Sequence, residues 1–152
     1  MLRDDINNAL KEAQKAKNER AVSTLRMVNS TLKNADIEAR GASKPALGDT
    51  EVLSILQKMI KQRQESVELY QKGNRADLVA QEQGEIEIIS AYLPQQMAES
   101  EIVDTVAALV RETGATAMKD MGRVMAAIKE RYAGKLDVGK ASAAVKKLLS
   151  GG

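Results

Sequence analysis

The chain reads as all-α, an N-terminal four-helix unit followed by a C-terminal three-helix unit, and three observations lead there. Apolar residues recur at helical spacing along nearly the whole 152 residues. Phe and Trp are absent and Tyr occurs only three times, so strand-formers are scarce where helix-formers such as Ala, Leu, Met, Glu, Lys and Gln are plentiful. Glycine, proline and capping residues punctuate the apolar stripes, giving each stripe a start and a stop.

Leu2, Ile6, Ala9, Leu10, Ala13 and Ala16 define a first amphipathic helix. After Asn18, the positions Val22, Leu25, Val28, Leu32 and Ala35 define a second, ended by Gly41. A loop with Pro45 and Gly48 leads to Asp49, read as an N-cap. The stripe Val52, Ile55, Leu56, Met59, Val67 and Tyr70 then runs to Gly73, a third helix of about six turns. Asn74 is read as the cap of a fourth, whose apolar positions run from Leu78 through Ile86, Ile88, Ile89 and Tyr92 to Leu93. Pro94 forces the residue before it out of the α region, so the fourth helix should end at Leu93.

Beyond Pro94, Ala98 to Glu101 opens a helix with acid in its first turn, and Ile102, Val106, Leu109 and Val110 carry it to a stop at Gly114. A helix starting at Met118 or Met121 runs to Tyr132 and is stopped by Gly134. Asp137 caps the last one, which bears Ala141, Ala144, Val145, Leu148 and Leu149. Gly151 and Gly152 are expected to be disordered. The domain reading is therefore 1–94 and 95–152.

Composition narrows the chemistry. With no Cys there is no disulfide and no thiolate nucleophile; with no His the commonest general base and metal ligand is missing. No residue pattern marks a catalytic, cofactor or metal site. No apolar run approaches the roughly 20 residues that span a bilayer, and Met1 to Asp5 carries both signs of charge, which points to a cytoplasmic, unprocessed protein without a membrane partner.

The net charge of +2 is unevenly spread. Met1 to Pro94 holds fourteen basic and fourteen acidic residues, whereas Lys119 to Lys147 holds eight basic and three acidic. Lys119, Arg123, Lys135, Lys140, Lys146 and Lys147 are the candidate nucleic-acid contacts, able to neutralise phosphates without reading sequence. Gly134-Lys135-Leu136-Asp137-Val138-Gly139-Lys140-Ala141 fits phosphate-loop spacing up to Ala141, which replaces the magnesium-binding Ser or Thr. The polar, helical Lys129-Glu130-Arg131-Tyr132 ahead of it is no buried strand, so Gly134 is read as a helix stop and Asp137 as a cap.

Glu82 and Glu85 share a helical face at carboxylate-site spacing, but without a histidine they are read as ion-pair partners of Lys61, Arg63 or Arg75. Arg26, Arg63, Glu82 and Glu85 are assigned to a structural charge network in the N-terminal unit. Met118, Met121 and Met125 are read as one packed face.

Five segments, in order, resemble the GatB/YqeY family: Thr24-Leu25-Arg26-Met27, Met59-Ile60-Lys61-Gln62-Arg63-Gln64-Glu65-Ser66, Gly73-Asn74-Arg75-Ala76-Asp77-Leu78, Tyr92-Leu93-Pro94-Gln95-Gln96-Met97 and Met121-Gly122-Arg123-Val124-Met125. The whole is most similar to stand-alone YqeY-like proteins, and Ile102 to Leu149 resembles the tail of the B subunit of the glutamyl/aspartyl-tRNA amidotransferase. Many relatives carry Asp-Gly-Lys before the last helix, where this chain has Asp137-Val138-Gly139-Lys140.

The resemblance implies an all-helical fold, tRNA as a partner through the C-terminal part, and association with tRNA-charging or amidotransferase proteins. It carries the label of a carbon–nitrogen ligase with glutamine as amido-nitrogen donor, although the amidotransferase keeps its chemistry in other subunits or in a domain absent here. The leading expectation is a tRNA-associated accessory module with no active site of its own. The alternatives are a ligase component acting on misacylated aminoacyl-tRNA and a protein–protein adaptor built on the third helix.

Overall fold

A computed structural model describes residues 1–151. Among them are seven α-helices, one short 3-10 turn and no strand. The chain divides into two compact units, Met1–Leu93 and Pro94–Gly152.

The first unit contains α1 (Leu2–Lys15), α2 (Glu19–Gly41), α3 (Asp49–Lys72) and α4 (Ala76–Ser90). Each helix contributes to one core: Ile6 from α1, Leu25, Val28 and Leu32 from α2, Val52, Leu56, Met59 and Ile60 from α3, and Ile89 from α4. These side chains form a core without Phe or Trp, and Tyr92 and Leu93 are among the partly buried residues that pack against it. α3 packs most extensively against α4, α1 against α2, and α2 also against α4.

Local chemistry sets the helix ends. The Asn18 side chain accepts from Ala21 N–H at 3.1 Å, as an N-cap should. Two caps differ from expectation. At α3 the N-cap is Gly48, because Glu51 reaches back to accept the Gly48 N–H at 2.9 Å; Asp49 instead takes the Leu2 N–H at 3.3 Å. At α4 the cap position falls to Arg75, since Asn74 adopts φ +55° and the Arg75 N–H closes onto Tyr70 O at 2.9 Å, finishing α3 rather than opening α4. The fourth helix also ends earlier than Leu93. Beyond Ser90 the N–H groups of Tyr92 and Leu93 bond three residues back, to Ile89 O and Ser90 O at 3.1 Å each, a tighter turn that brings the chain to Pro94.

A charged pair lies inside this unit. Arg63 on α3 and Glu85 on α4 are 9% and 8% exposed, and Arg63 Nε donates to Glu85 Oε2 at 3.1 Å. The same guanidinium donates through Nη1 to Met59 O at 3.0 Å and through Nη2 to the Met27 sulfur on α2 at 2.6 Å. One side chain thus joins three helices. α2 and α4 meet again where the Arg20 side chain crosses Gly84: a Cβ there would lie 2.6 Å from Arg20 Nη1.

The second unit contains α5 (Glu99–Thr113), a 3-10 turn at Met118–Asp120, α6 (Met121–Arg131) and α7 (Val138–Leu149). Its core joins Ile102, Val106 and Leu109 of α5 to Val124 and Ile128 of α6 and to Ala141, Val145 and Leu149 of α7, with Ala115 and Leu136 from the connections. Gly114 ends α5 at φ +69°, where a side chain would be strained. Of the three methionines expected on one face, Met121 and Met125 pack against the core, but Met118 is 42% exposed because the 3-10 turn breaks the helical register before α6. Gly151 forms a turn after α7, and Gly152 lies outside the described residues.

Removing one partner of the Arg63–Glu85 pair strands the other charge in the core. Arg63→Ala and Glu85→Ala are each expected to cost about 3 to 5 kcal/mol, and Arg63→Met combined with Glu85→Leu less than either. Urea unfolding of the full chain followed by far-UV circular dichroism measures this; equal losses in all three variants contradict it.

Candidate nucleic-acid interface

The six candidate cations all fall in the second unit. Lys119 sits in the 3-10 turn, which packs against both α6 and α7; Arg123 lies on α6, Lys135 in the α6–α7 turn, and Lys140, Lys146 and Lys147 on α7. All six are exposed. On α7 the buried positions are Ala141, Val145 and Leu149, spaced by four. Lys140 and Lys147, seven apart, share the opposite side, while Lys146 sits about 100° around from Lys147.

Their charges are not equally available. Arg123 Nη2 lies 3.4 Å from Asp120 Oδ1, so part of its charge is answered within the unit. Lys119, Lys135, Lys140, Lys146 and Lys147 form no ion pair among the described residues, although Lys119 stands near enough to Asp120 to act on its charge. Arg131, another cation of this segment, is held bidentately by Glu112 at 2.8 Å on both oxygens. The Asp120 carboxyl titrates below the usual carboxylate range, chiefly because it accepts the N–H groups of Thr116 and Ala117 at 2.9 and 3.1 Å, with Arg123 and Lys119 adding to the effect.

The turn bearing Lys135 is tied on several sides. Gly134 takes φ +74°, and Lys135 N–H donates to Tyr132 O at 3.0 Å. Upstream, Gln96 Nε2 donates to Gly134 O at 2.6 Å and to Pro94 O at 2.8 Å, and Met97 N–H donates to Lys135 O at 2.7 Å. Asp137 Oδ1 accepts the Lys140 N–H at 3.1 Å, so Lys140 occupies the third helical position, with its amide spent on the cap. Gly134 and Asp137 therefore serve as helix stop and helix cap. The hold of Gln96 and Met97 on this turn was not visible in the sequence, where that segment marks a helix boundary and a family resemblance.

In the first unit the expected charge network is realised in part. Arg63 and Glu85 are joined, but Arg26 is exposed and has no ion pair among the described residues, and Arg75 pairs with Asp77 at 3.0 Å instead of with Glu82 or Glu85. Arg26 follows the buried Thr24 and Leu25 on α2, which turns it to the solvent side. Among the described residues no three carboxylates are placed to hold a metal ion. The Glu82 carboxyl titrates above its ordinary range because it is partly desolvated and faces Glu85, with Arg63 pulling the other way.

Fold and site together define a class: an all-helical protein with one unit organised around a buried ion pair and a second displaying unpaired lysines around a pinned turn. The family model described as Yqey-like protein matches residues 3–149, and the chain belongs to that family. It is 34% identical over 127 residues to altered inheritance of mitochondria protein 41, mitochondrial, from Pyrenophora tritici-repentis, a match that covers 80% of this chain and 68% of the relative. The proteins of the same name from Lachancea thermotolerans and Saccharomyces cerevisiae strain YJM789 are 38% and 36% identical over 97 residues, 64% of this chain. The chain spans only 50% and 51% of the length of those two relatives.

These names correct the expected cytoplasmic location: the relatives are mitochondrial proteins by name, which points away from the cytoplasm. The physical reason for the error is simple. Among the described residues no helix is long and apolar enough to cross a membrane, but that property does not distinguish one aqueous compartment from another.

Glu82→Gln tests the carboxylate assignment. The folded-state value lies above the unfolded one, so the folded chain holds the extra proton between the two, and stability falls as pH rises through that window. The variant is expected to melt at a higher temperature than the wild type at neutral pH and at the same temperature well below about pH 4.3, the ordinary glutamate value. A pH-independent difference in thermal melts would count against it.

Proposed function

We propose that the chain is a tRNA-associated accessory module related to tRNA-dependent amidotransferases, with the helices before Pro94 and those after it acting as two domains. In this reading the C-terminal three-helix domain contacts phosphates through Lys119, Arg123, Lys135, Lys140, Lys146 and Lys147. The N-terminal four-helix domain supplies a rigid, charge-balanced body for tRNA-charging or amidotransferase proteins to grip. The observation that carries the proposal is that the exposed lysines of this unit form no ion pair among the described residues, whereas the charges of Arg123 and Arg131 are met within it. The resemblance of Ile102 to Leu149 to an amidotransferase tail supports the choice of tRNA over other polyanions. Lysine suits such a surface, since its ammonium is a mobile point charge that follows a backbone without demanding a fixed fork of acceptors.

Each neutralised phosphate lowers the logarithm of the association constant by about 0.7 to 0.9 per decade of salt. The tRNA affinity of the full chain is therefore expected to fall steeply across a salt series. The combined change Lys135→Ala, Lys140→Ala, Lys146→Ala and Lys147→Ala is expected to reduce that slope by about three. A flat salt response in the wild type, or an unchanged slope in the variant, overturns the proposal.

A further inference from the structure

Lys135 differs from the other unpaired lysines in how its backbone is held. The peptide unit on each side of its α-carbon is hydrogen-bonded to one short segment ahead of α5. The carbonyl before it, Gly134 O, accepts Gln96 Nε2 at 2.6 Å, and its own carbonyl accepts Met97 N–H at 2.7 Å. Its N–H is closed onto Tyr132 O at 3.0 Å. Both flanking peptide planes are thus oriented, which leaves little freedom in the two backbone dihedrals that aim the side chain. The next residue, Leu136, is 2% exposed and anchors the turn to the core.

Gln96 is suited to this task by chemistry as well as position. Both of its partners are carbonyl oxygens, Gly134 O and Pro94 O, and its amide nitrogen, with two donors on one atom and no charge, answers them together. A glutamate would set a carboxylate against two carbonyls, and a shorter asparagine would not span the same distance. A residue of the Tyr92 to Met97 segment, which the sequence marks as a helix boundary, therefore also braces the turn.

The geometry points to Gln96 as a positioning residue that orients Lys135 for a phosphate of the bound RNA. This rests on the phosphate-contact reading of the basic unit and adds a residue that need not touch the RNA. A lysine on a fixed stem loses less conformational freedom on binding than one on a free loop, so the brace acts through affinity and through the number of phosphates neutralised.

The test is a double-mutant cycle on the full chain, with tRNA binding measured over a salt series for wild type, Gln96→Met, Lys135→Ala and the double variant. Methionine keeps the length of glutamine and removes both donors without adding charge. Gln96→Met is expected to weaken tRNA binding about threefold and to lower the salt slope in the same direction as Lys135→Ala, by up to about 0.9. The double variant should bind no more weakly than Lys135→Ala alone, because the two act on one contact.

Additive losses, or a Gln96→Met loss with the wild-type slope, would overturn the role and leave Gln96 as a structural residue only. Unchanged binding in Gln96→Met alongside a lowered slope in Lys135→Ala overturns it too. A wild type with no salt-dependent tRNA binding defeats the phosphate-contact reading itself and this role with it. Amide hydrogen exchange at Lys135 and Leu136 supplies a readout free of RNA. Faster exchange in Gln96→Met is expected, and unchanged exchange shows that Gln96 does not hold the turn.

Discussion

A guanidinium held between three helices is the constraint on which the first unit depends. Arg63 can remain in the interior only while Glu85 supplies a counter-charge and Met59 O and the Met27 sulfur take up its other donors. Those demands fix α3 against α4 and bring α2 alongside, because moving any of the three leaves a donor unanswered. The aliphatic core supplies the drive to collapse, but Leu, Ile and Val side chains tolerate small shifts of register. The charged pair selects one arrangement. Glu82, a turn before Glu85, meets the cost of that choice as a carboxyl whose proton is held more tightly than usual.

In the second unit, charge is distributed differently. Both arginines with a nearby carboxylate are engaged, Arg123 by Asp120 and Arg131 by Glu112, and the lysines are left over. The pattern fits the chemistry of the two cations. The planar guanidinium of Arg131 finds a bidentate carboxylate on a neighbouring helix, while the lysines at the α6–α7 turn and along α7 stay exposed. Asp137 contributes by capping α7, which orders the helix start from which Lys140 projects.

How much of this was legible in the sequence varies with the range of the interaction. The helices, the stop at Gly114 and the cap at Asp137 were readable because they depend on neighbours within a few residues. The cap at α3 went to Gly48 rather than Asp49 because two acidic residues competed for the same end, and Glu51 had the reach. Asn74 looked like a cap by type, but its backbone was claimed by the end of α3. For the candidate site, the positions of the cations were visible and their availability was only half visible. Asp120 and Arg123 stand three apart, a spacing that announces a helical pair, whereas Glu112 and Arg131 are nineteen apart and meet only through the packing of α5 on α6. The braces from Gln96 and Met97 span still more of the chain, and nothing in local periodicity encodes them.

The segment Pro94 to Met97 has a consequence for modularity. By secondary structure the second unit begins at Glu99, and a piece cut there would keep every helix and every fully buried core residue, losing only Met97 from the side chains packed against them. It would lose Gln96 and Met97, and with them two of the bonds that shape the turn around Lys135. The heritable block is therefore longer than its helices. Any recombination that grafts this unit onto another protein must carry the extended residues ahead of its first helix, or it transplants the helices without the bonds that shape their last turn.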